Sequence, residues 1–407
     1  MDKTTSGEVM KNNRKTSRNL TPALLSAAML AASLTTTAQV QANATMDALT
    51  DGKILNNFRL RYETADTDGG ADAATALTLR SRVGYETADF SGFKLLAELE
   101  DIRAIVDEYA PEDADYDVIA DPENTEWNRF QLSYAKDGVS AIVGRQRIIL
   151  DNARFIGNVG WRQNEVTYDA AKLGYKKDKL NLTYAYIDQR NFLNFTANDT
   201  SDHLLNASYS GLPVGKVAGY AYLLDNKDSE TTINTYGAYL DGKQKLDSLT
   251  VLYRAEFATQ NRELKNGTEF DTSYVLLEGG VKVSGFTFKL GNEIKGSDDG
   301  NGGFITPYGT NHKFGGWADR YLGTPAAGLD DKYALVATKA GPVKLVAAYH
   351  TYSGVDDSED FGSEINLLAA GKINKNFTAG IKYAAFSEGD DAANDTNKLW
   401  AWIGAKF

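Results

Sequence analysis

The sequence of 407 residues contains no cysteine and only three histidines and seven prolines. Without cysteine the chain has no disulfide, no thiol nucleophile and no cysteine-based metal site. This absence fits an exported protein that does not depend on disulfides. After residue 44 no apolar run reaches the roughly 20 residues that a membrane-spanning helix needs. No linker, composition shift or proline-rich hinge divides the chain into domains.

The first 44 residues have the composition of a targeting segment. Basic residues between Lys11 and Arg18 precede an apolar run from residue 20 to 34, and Ala42-Asn43-Ala44 is a small-residue cleavage motif. Met10 is an alternative start, since the first nine residues add nothing that a signal peptide needs. The apolar run is short for a spanning helix, which disfavours the alternative of an N-terminal membrane anchor. We therefore predict a signal peptide over residues 1–44 and export of the remainder.

The charge balance of the exported part is strongly acidic. The whole chain has a formal net charge of −12, and residues 1–44 carry three more basic than acidic side chains, so the remainder has a net charge of −15. Nucleic-acid binding is disfavoured by this sign. Much of the acid lies in loop-like stretches, none of which matches a Ca²⁺-binding motif. We expect solvated charge there, with weak divalent-cation bridging to lipopolysaccharide as the alternative.

The end of the chain has the pattern of an amphipathic β-strand. From Leu399 to Phe407 every second residue is apolar, and the side chains of a strand alternate between its two faces. A strand that stops on an aromatic residue resembles the last strand of outer-membrane β-barrel proteins, which the assembly machinery reads. An ordinary final strand of a soluble sheet is the alternative. Together with the signal peptide, the pattern favours a barrel in the outer membrane of a Gram-negative bacterium, with Phe407 as its assembly signal.

Strand-like segments with period-two alternation recur through the rest of the chain, and no segment after residue 44 has a convincing 3.6-residue period. A closed barrel crosses a bilayer with such strands, because only alternate residues face the lipid. The sequence thus predicts an all-β transmembrane antiparallel β-barrel of about 18 strands over residues 45–407, with short periplasmic turns and long extracellular loops. The predicted strands lie near 52–63, 75–87, 93–104, 126–136, 138–150, 163–176, 179–190, 202–211, 214–225, 231–241, 248–260, 270–283, 285–295, 331–339, 342–352, 362–372, 376–387 and 396–407.

A β-sandwich is the structural alternative, because its strands alternate in the same way with the two faces exchanged. Alternation alone does not separate the two folds. Two long loops stand out in either case. The loop at 151–162 is expected to fold inward, and the glycine and aromatic content of the loop at 296–330 suits a lid over a pore.

Arginines are concentrated in one half of the chain. Of the fourteen arginines after residue 44, eleven lie between Arg59 and Arg190, so neighbouring strands bring them to one side of a barrel. A one-sided row of guanidinium groups suits transient binding of carboxylates or phosphates, since the planar fork makes two parallel hydrogen bonds. Alternation predicts that six arginines line the pore: Arg59, Arg61, Arg80, Arg82, Arg129 and Arg190.

Five acidic residues lie in the same half of the chain and admit two interpretations. In the first, the acids lie on the pore wall that faces the arginines, so that an electric field crosses the pore. In the second, the acids neutralise the arginines as part of a solvated lining. These residues are Glu98, Glu100, Glu165, Asp169 and Asp188.

The loop between the fifth and sixth predicted strands carries a motif. Its residues are Gly144-Arg145-Gln146, Asp151, Arg154-Phe155-Ile156-Gly157, Trp161, Gln163-Asn164 and Tyr168-Asp169-Ala170. The motif resembles that of the alginate-export-type outer-membrane β-barrels. The resemblance implies an eighteen-stranded barrel with an arginine-lined pore, although the family is diverse and alginate itself is not implied. It also implies pore-constriction roles for Arg145, Arg147, Asp151, Arg154, Arg162 and Asn164. By alternation, Arg145 and Arg147 share one face.

The expected function is that of a porin, a channel for passive diffusion of anionic or hydroxylated solutes from sugar acids and oligosaccharides up to acidic polysaccharide. No cofactor, metal or nucleic acid is expected. The expected partners are outer-membrane lipid, lipopolysaccharide, the barrel assembly machinery and the solute, and a monomer is favoured. One rival is a barrel hydrolase, but His203, His312 and His350 lack a nearby nucleophile motif. Another is a structural or adhesion barrel plugged by the loop at 296–330.

Overall fold

The computed structural model describes residues 46–390 and 394–407, so the predicted signal peptide and its alternative start lie outside the described residues. The described chain forms an eighteen-stranded antiparallel sheet that closes into a barrel, because β1 pairs with both β2 and β18. The strands are β1 Lys53–Thr67, β2 Ala74–Glu86, β3 Phe93–Glu108, β4 Asn124–Lys136, β5 Val139–Gln146, β6 Thr167–Lys177, β7 Leu180–Asn191, β8 Ala197–Leu212, β9 Gly215–Asn226, β10 Thr231–Lys245, β11 Leu249–Glu263, β12 Glu269–Val283, β13 Phe286–Lys295, β14 Leu329–Ala340, β15 Val343–Ser353, β16 Asp360–Lys372, β17 Phe377–Ser387 and β18 Thr396–Lys406.

The two faces of the closed sheet differ in polarity. In β1 Tyr62 is 38% exposed, whereas its neighbours Arg61 and Glu63 are each 1% exposed. In β2, exposed Leu79 likewise precedes buried Arg80. The alternation therefore places apolar side chains outside and charged ones inside, as a barrel in lipid requires. This polarity and the closure of the sheet exclude the β-sandwich alternative.

Eighteen strands were predicted and eighteen are found, most with ends within a few residues of the prediction. Two-residue turns at 137–138, 178–179, 284–285 and 341–342 alternate with longer connections, as expected. The main differences are at β8, which begins at residue 197, and at β5 and β6, which end and begin at residues 146 and 167. The connection between β5 and β6 is longer than predicted because residues 147–150 and 163–166 belong to it rather than to the strands.

Helical structure in the described ranges is limited to short segments. One covers residues 46–50, and a 3₁₀ turn covers Asn311–Lys313. Among the described residues, no helix is long and apolar enough to cross a membrane.

Candidate functional site

Two connections run through the barrel interior. The first inner loop, residues 147–166, joins β5 to β6, and the second inner loop, residues 296–328, joins β13 to β14. Residues 153–157 and 162–166 are buried. The first inner loop turns sharply, with φ angles of 53° at Asp151, 69° at Ala153 and 49° at Val159. Its contacts with the strands around it define the candidate site.

The two inner loops are joined by backbone hydrogen bonds. The amide of Gly157 donates to the carbonyl of Tyr308 at 2.7 Å, and the amide of Thr310 donates to the carbonyl of Ala153 at 2.9 Å. The backbones are so close at Gly157 that a Cβ there would collide with the hydroxyl oxygen of Thr310. Only glycine fits this position of the motif without a shift. The inner loops therefore pack as one unit.

The tip of the first inner loop is anchored on one wall of the barrel. The ring of Phe155 lies 5.2 Å from the ring of Tyr274 and 5.9 Å from that of Phe304, between centroids. Next to it, buried Arg154 places its Nε 2.6 Å from Oε1 of Glu293 in β13. We call this side, on strands β9 to β12, the tyrosine wall. Its tyrosines and the partners of their hydroxyls are Tyr220 with Glu256, Tyr222 with Asn206, Tyr239 with Asp151, and Tyr274 with Glu293.

The other end of the first inner loop lies against β1 and β2. These strands are separated from the tyrosine wall by about half of the eighteen-stranded sheet. Here Arg59, Arg61, Arg80 and Arg82 form what we call the arginine wall. Arg59 and Arg80 are directly opposite each other in the register of the two strands. The four guanidinium groups donate to three successive carbonyl oxygens of the inner loop. The bonds run from Arg61 to Trp161 (2.8 Å), from Arg59 to Arg162, and from Arg80 and Arg82 to Gln163 (3.4 Å each).

Two members of the arginine wall have acidic partners and two have none. Within the described residues, no carboxylate oxygen lies within 4.0 Å of Arg59 or Arg80. Arg59 donates instead to the amide oxygen of Gln163 at 2.9 Å, and Arg80 donates to that of Asn57 at 2.6 Å. These two cations are thus held by neutral oxygen atoms. The paired members are Arg61, with Glu63 and Asp121, and Arg82, with Glu100 and Glu165.

Glu165 is the acidic centre of this region. Its carboxylate accepts hydrogen bonds from Arg147 at 2.7 Å, Asn128 at 2.8 Å and Asn158 at 2.6 Å. Burial raises the pKa of this carboxyl, but Arg82 and Arg147 outweigh burial and lower the pKa to about 2. Glu165 is therefore ionised, and its charge is neutralised by arginines in direct contact.

Two more of the predicted acids, Glu98 and Asp169, also lie beside arginines. Glu98 accepts from Arg129 at 2.8 and 2.9 Å, and Asp169 pairs with Arg145 at 2.8 Å. Asp188 lies at a β-bulge of β7, outside these pairs. The geometry agrees with local neutralisation of the paired arginines. It does not place these acids on a wall facing the arginines.

Arg145 lies on the outer face of the barrel, so the prediction that it shares a face with Arg147 is wrong. In the register of β4 and β5, Arg145 lies opposite Phe130, which is exposed on the outer face. Residues opposite each other in a sheet share a face. β5 ends one residue later, and the chain turns inward and carries Arg147 to Glu165. The prediction is wrong because β5 ends at residue 146 and does not continue to residue 150.

A charged aromatic cluster fastens the first inner loop to the second. Arg162 pairs with Asp319 at 3.3 Å, and Asp319 also accepts from Nδ1 of His312 at 2.6 Å. The ring of His312 stacks on Trp161 with centroids 4.0 Å apart, and Lys382 of β17 donates to its Nε2. Burial lowers the pKa of His312, Asp319 opposes this and Lys382 adds to it, which leaves the pKa at about 3. The imidazole is thus neutral, with its proton directed at Asp319.

Three further residues of the predicted constriction attach loops to their surroundings. Each of them contacts a neighbouring strand or loop through a polar group. The contacts are Asp151 with Lys216 (3.0 Å), Asn164 with the carbonyl of Leu193 (3.0 Å), and Arg190 with the carbonyl of Pro307 (2.8 Å).

Several residues that complete these contacts were not predicted. Glu63 had a recognisable signal, because it follows Arg61 by two residues and so shares its face. Asp121 and Asp319 had none, since they lie in long loops 60 and 157 residues from the arginines they meet. Gln163 belonged to the motif without an assigned role.

The three histidines bond to tyrosine, aspartate or lysine side chains. His203 contacts the hydroxyl of Tyr184 at 2.9 Å, and His350 contacts Asp331 at 2.9 Å. In the part of the chain that the structure describes, none of them bonds to a serine or threonine hydroxyl, as a hydrolase triad would require. The same residues contain no group of three histidine, aspartate or glutamate side chains placed to hold a metal ion.

Solved structures share this barrel over most of its length. OccAB4 of Acinetobacter baumannii aligns with a TM-score of 0.68 and 12% identity over 89% of this chain and 99% of its own. The outer membrane protein OpdK of Pseudomonas aeruginosa aligns with a TM-score of 0.67 and 12% identity over 88% of this chain and 99% of its own. This chain has the fold of these proteins. A structure of OpdK with vanillate aligns with a TM-score of 0.66 and 11% identity, over 88% of this chain and 99% of its own.

No protein-family model and no curated protein matches the chain in sequence. The resemblance to alginate-export-type barrels therefore rests on the residues of the motif alone.

Proposed function

We propose that this chain is an outer-membrane channel, a porin, through which small anionic solutes diffuse passively. The observation that carries the proposal is the pair Arg59 and Arg80, two guanidinium groups on the inner wall with no carboxylate partner among the described residues. Charge-assisted hydrogen bonds are stronger than those to neutral oxygen, and guanidinium binds carboxylate through two parallel bonds. A carboxylate solute therefore gains more at this pair than water or an uncharged solute does.

The fold supports a location in the Gram-negative outer membrane. A closed barrel with an apolar outer face and a polar interior suits a bilayer. OpdK, which has the same fold, is an outer membrane protein, and one of its structures was solved with vanillate, an aromatic carboxylate. Fold alone does not determine function. The arginine pair supplies the chemistry that such a solute needs, and the motif resemblance extends the proposal to sugar acids, oligosaccharides and acidic polysaccharide.

The constriction in this proposal lies where the first inner loop meets the arginine wall. Ion pairs fix the loop there at one end and on the tyrosine wall at the other. Arg61, Arg82 and Arg129 contribute positive charge that adjacent acids largely cancel, which leaves Arg59 and Arg80 as the selective pair. The residues that hold the two inner loops in this position are Arg147, Asp151, Arg154, Arg162, Asn164 and Arg190.

The remaining partners follow from the same proposal. A protein with this outer face contacts outer-membrane lipid and lipopolysaccharide, and the barrel assembly machinery inserts it with Phe407 at the end of the last strand. The exposed apolar side chains lie on the outer face of a sheet that closes within one chain. We therefore propose a monomer. Neither the passage of the solute nor its binding to the arginine pair needs a cofactor.

A plugged structural barrel is the second candidate. The observation in its favour is the density of hydrogen bonds and ion pairs that the inner loops make across the interior. Arg154, for example, reaches Glu293, 139 residues away in sequence, and both are buried. If these contacts hold permanently, the barrel conducts nothing.

Current recordings in planar bilayers distinguish the two candidates. A channel gives steady single-channel steps, and its anion preference is read from the reversal potential in a salt gradient. We expect a preference for anions that falls when Arg59 and Arg80 are both changed to glutamine. Arg145→Gln is the matched control, because this arginine lies on the outer face and its loss leaves the preference unchanged. A protein that is folded and inserted but passes no current favours the plugged barrel.

A further inference from the structure

Gln163 of the first inner loop contacts both arginines of the pair, Arg59 and Arg80. Its Oε1 accepts from Nε of Arg59 at 2.9 Å, and its Nε2 donates to the hydroxyl of Thr78 at 2.8 Å. Its own carbonyl oxygen lies 3.4 Å from both Arg80 and Arg82. The residue is fully buried. The loop thus presents a cluster of amide oxygen atoms to the guanidinium groups of the arginine wall.

Every oxygen atom that the loop offers to Arg59 and Arg80 is neutral. Hydrogen bonds from guanidinium to a neutral amide are weaker than those to a carboxylate, which also cancels the charge. Arg59 and Arg80 face each other across β1 and β2, so each also experiences the positive charge of the other. An anion that reaches the pair therefore binds it more strongly than the neutral oxygen atoms of the loop do. The loop itself stays tethered, because Arg162 pairs with Glu63 and the amide of Gln163 donates to Asp121 at 2.8 Å.

We infer that residues 161–163 act as a tethered plug, and that an anionic solute opens its own path by displacing Gln163 from Arg59 and Arg80. The inference rests on the proposed function and adds its regulation. Without solute the loop closes the arginine wall. A carboxylate competes for the same donors, and the equilibrium shifts because the solute binds only the displaced form. An uncharged solute of the same shape has no such advantage.

Two substitutions at one position act in opposite directions. Gln163→Glu keeps the length of the side chain and replaces the neutral oxygen with a tethered carboxylate, so the plug binds Arg59 and Arg80 more strongly. Gln163→Ala removes the side-chain bonds to Arg59 and Thr78, so the plug binds more weakly. Retention of the folded form is checked for both by heat-modifiable gel migration.

Hydrogen–deuterium exchange of residues 159–166 measures the plug without requiring conduction. We expect benzoate to raise exchange of this segment about tenfold, the factor that a charge-assisted bond gains over a neutral one, while benzamide has no effect. Gln163→Ala exchanges rapidly without benzoate, and Gln163→Glu stays protected with it. The matched control is Gln260→Ala, because Gln260 bonds to both backbone groups of Ile305 in the second inner loop and, among the described residues, has no hydrogen bond with an arginine. It keeps the benzoate response of residues 159–166.

The outcomes separate this inference from the proposed function. Anion-selective current with no benzoate-dependent exchange at residues 159–166 overturns the plug and leaves the channel. Equal effects of benzoate and benzamide also overturn it, because charge is then not the cause. Benzoate-dependent exchange without current supports displacement of the loop by anions and removes the channel.

Discussion

The tyrosine wall and the arginine wall both bury polar groups inside the barrel, but they satisfy them differently. On the tyrosine wall every hydroxyl has a side-chain partner, and Arg154 is matched by Glu293. On the arginine wall Arg59 and Arg80 rest on neutral oxygen atoms supplied largely by the inner loop. A satisfied buried network stabilises one arrangement, whereas under-neutralised cations favour any anion that arrives. The first wall is suited to anchoring, and the second to exchange of partners.

Loss of Arg154 is expected to have the largest effect on stability. Arg154→Ala leaves the carboxylate of Glu293 buried without its cation, which costs about 3–5 kcal/mol of unfolding free energy. The measurement is denaturant unfolding in detergent micelles, followed by tryptophan fluorescence. The control is the double variant Arg154→Met with Glu293→Gln, in which no charge is left unpaired and much of the stability returns. A single variant as stable as the parent would show that the tyrosine wall is not an anchor.

Acidification tests the cluster that fastens the two inner loops to each other. His312 has its pKa lowered from 6.5 to about 3, so between these values the unfolded chain binds a proton that the folded chain does not. The contribution of His312 is therefore fully present above pH 6.5 and decreases as the pH falls toward 3. The melting temperature is measured at several pH values in this range, for the parent and for His312→Gln. The variant should lose the part of the dependence nearest pH 6.5, where Glu165, whose pKa falls from 4.5 to about 2 on folding, is ionised in both states. An unchanged profile would assign the dependence to other groups.

Removal of one hydroxyl from the tyrosine wall should have a moderate effect. Tyr220→Phe deletes the hydrogen bond to Glu256, which keeps its ion pair with Arg254, so the expected cost is about 1 kcal/mol. The same unfolding assay measures it. Tyr62→Phe on the outer face is the control with no expected cost. A cost as large as that of Arg154→Ala would mean that the tyrosine network acts as a single unit.

The smallest effect is expected on the arginine wall. Arg59→Gln replaces the guanidinium with a neutral amide that still offers a donor to the neutral acceptors, and it relieves the repulsion between Arg59 and Arg80. The net change in unfolding free energy should be less than about 1 kcal/mol. A cost comparable to that of Arg154→Ala would contradict the distinction between the two walls. An increase in stability would strengthen the distinction between the two walls.

The strands could be predicted from the sequence because alternation is a local signal. Arg61 and Glu63, two residues apart, show their common face in the sequence itself. The contacts of the inner loops could not be predicted, since Arg59 meets Gln163 across 104 residues and Arg154 meets Glu293 across 139. Arg145 was misplaced for a related reason. The point at which β5 ends is set by the contacts of residues 147–166 inside the barrel, and no local pattern marks it.

Ion selectivity after matched changes on the two walls tests most directly whether Arg59 and Arg80 select the solute. Reversal potentials in a salt gradient are recorded for the parent, for Arg59→Gln with Arg80→Gln, and for Tyr220→Phe with Tyr222→Phe. We expect an anion preference that is lost in the arginine variant and kept in the tyrosine variant. An equal preference in all three proteins, or one lost only in the tyrosine variant, would contradict the claim that Arg59 and Arg80 select the solute.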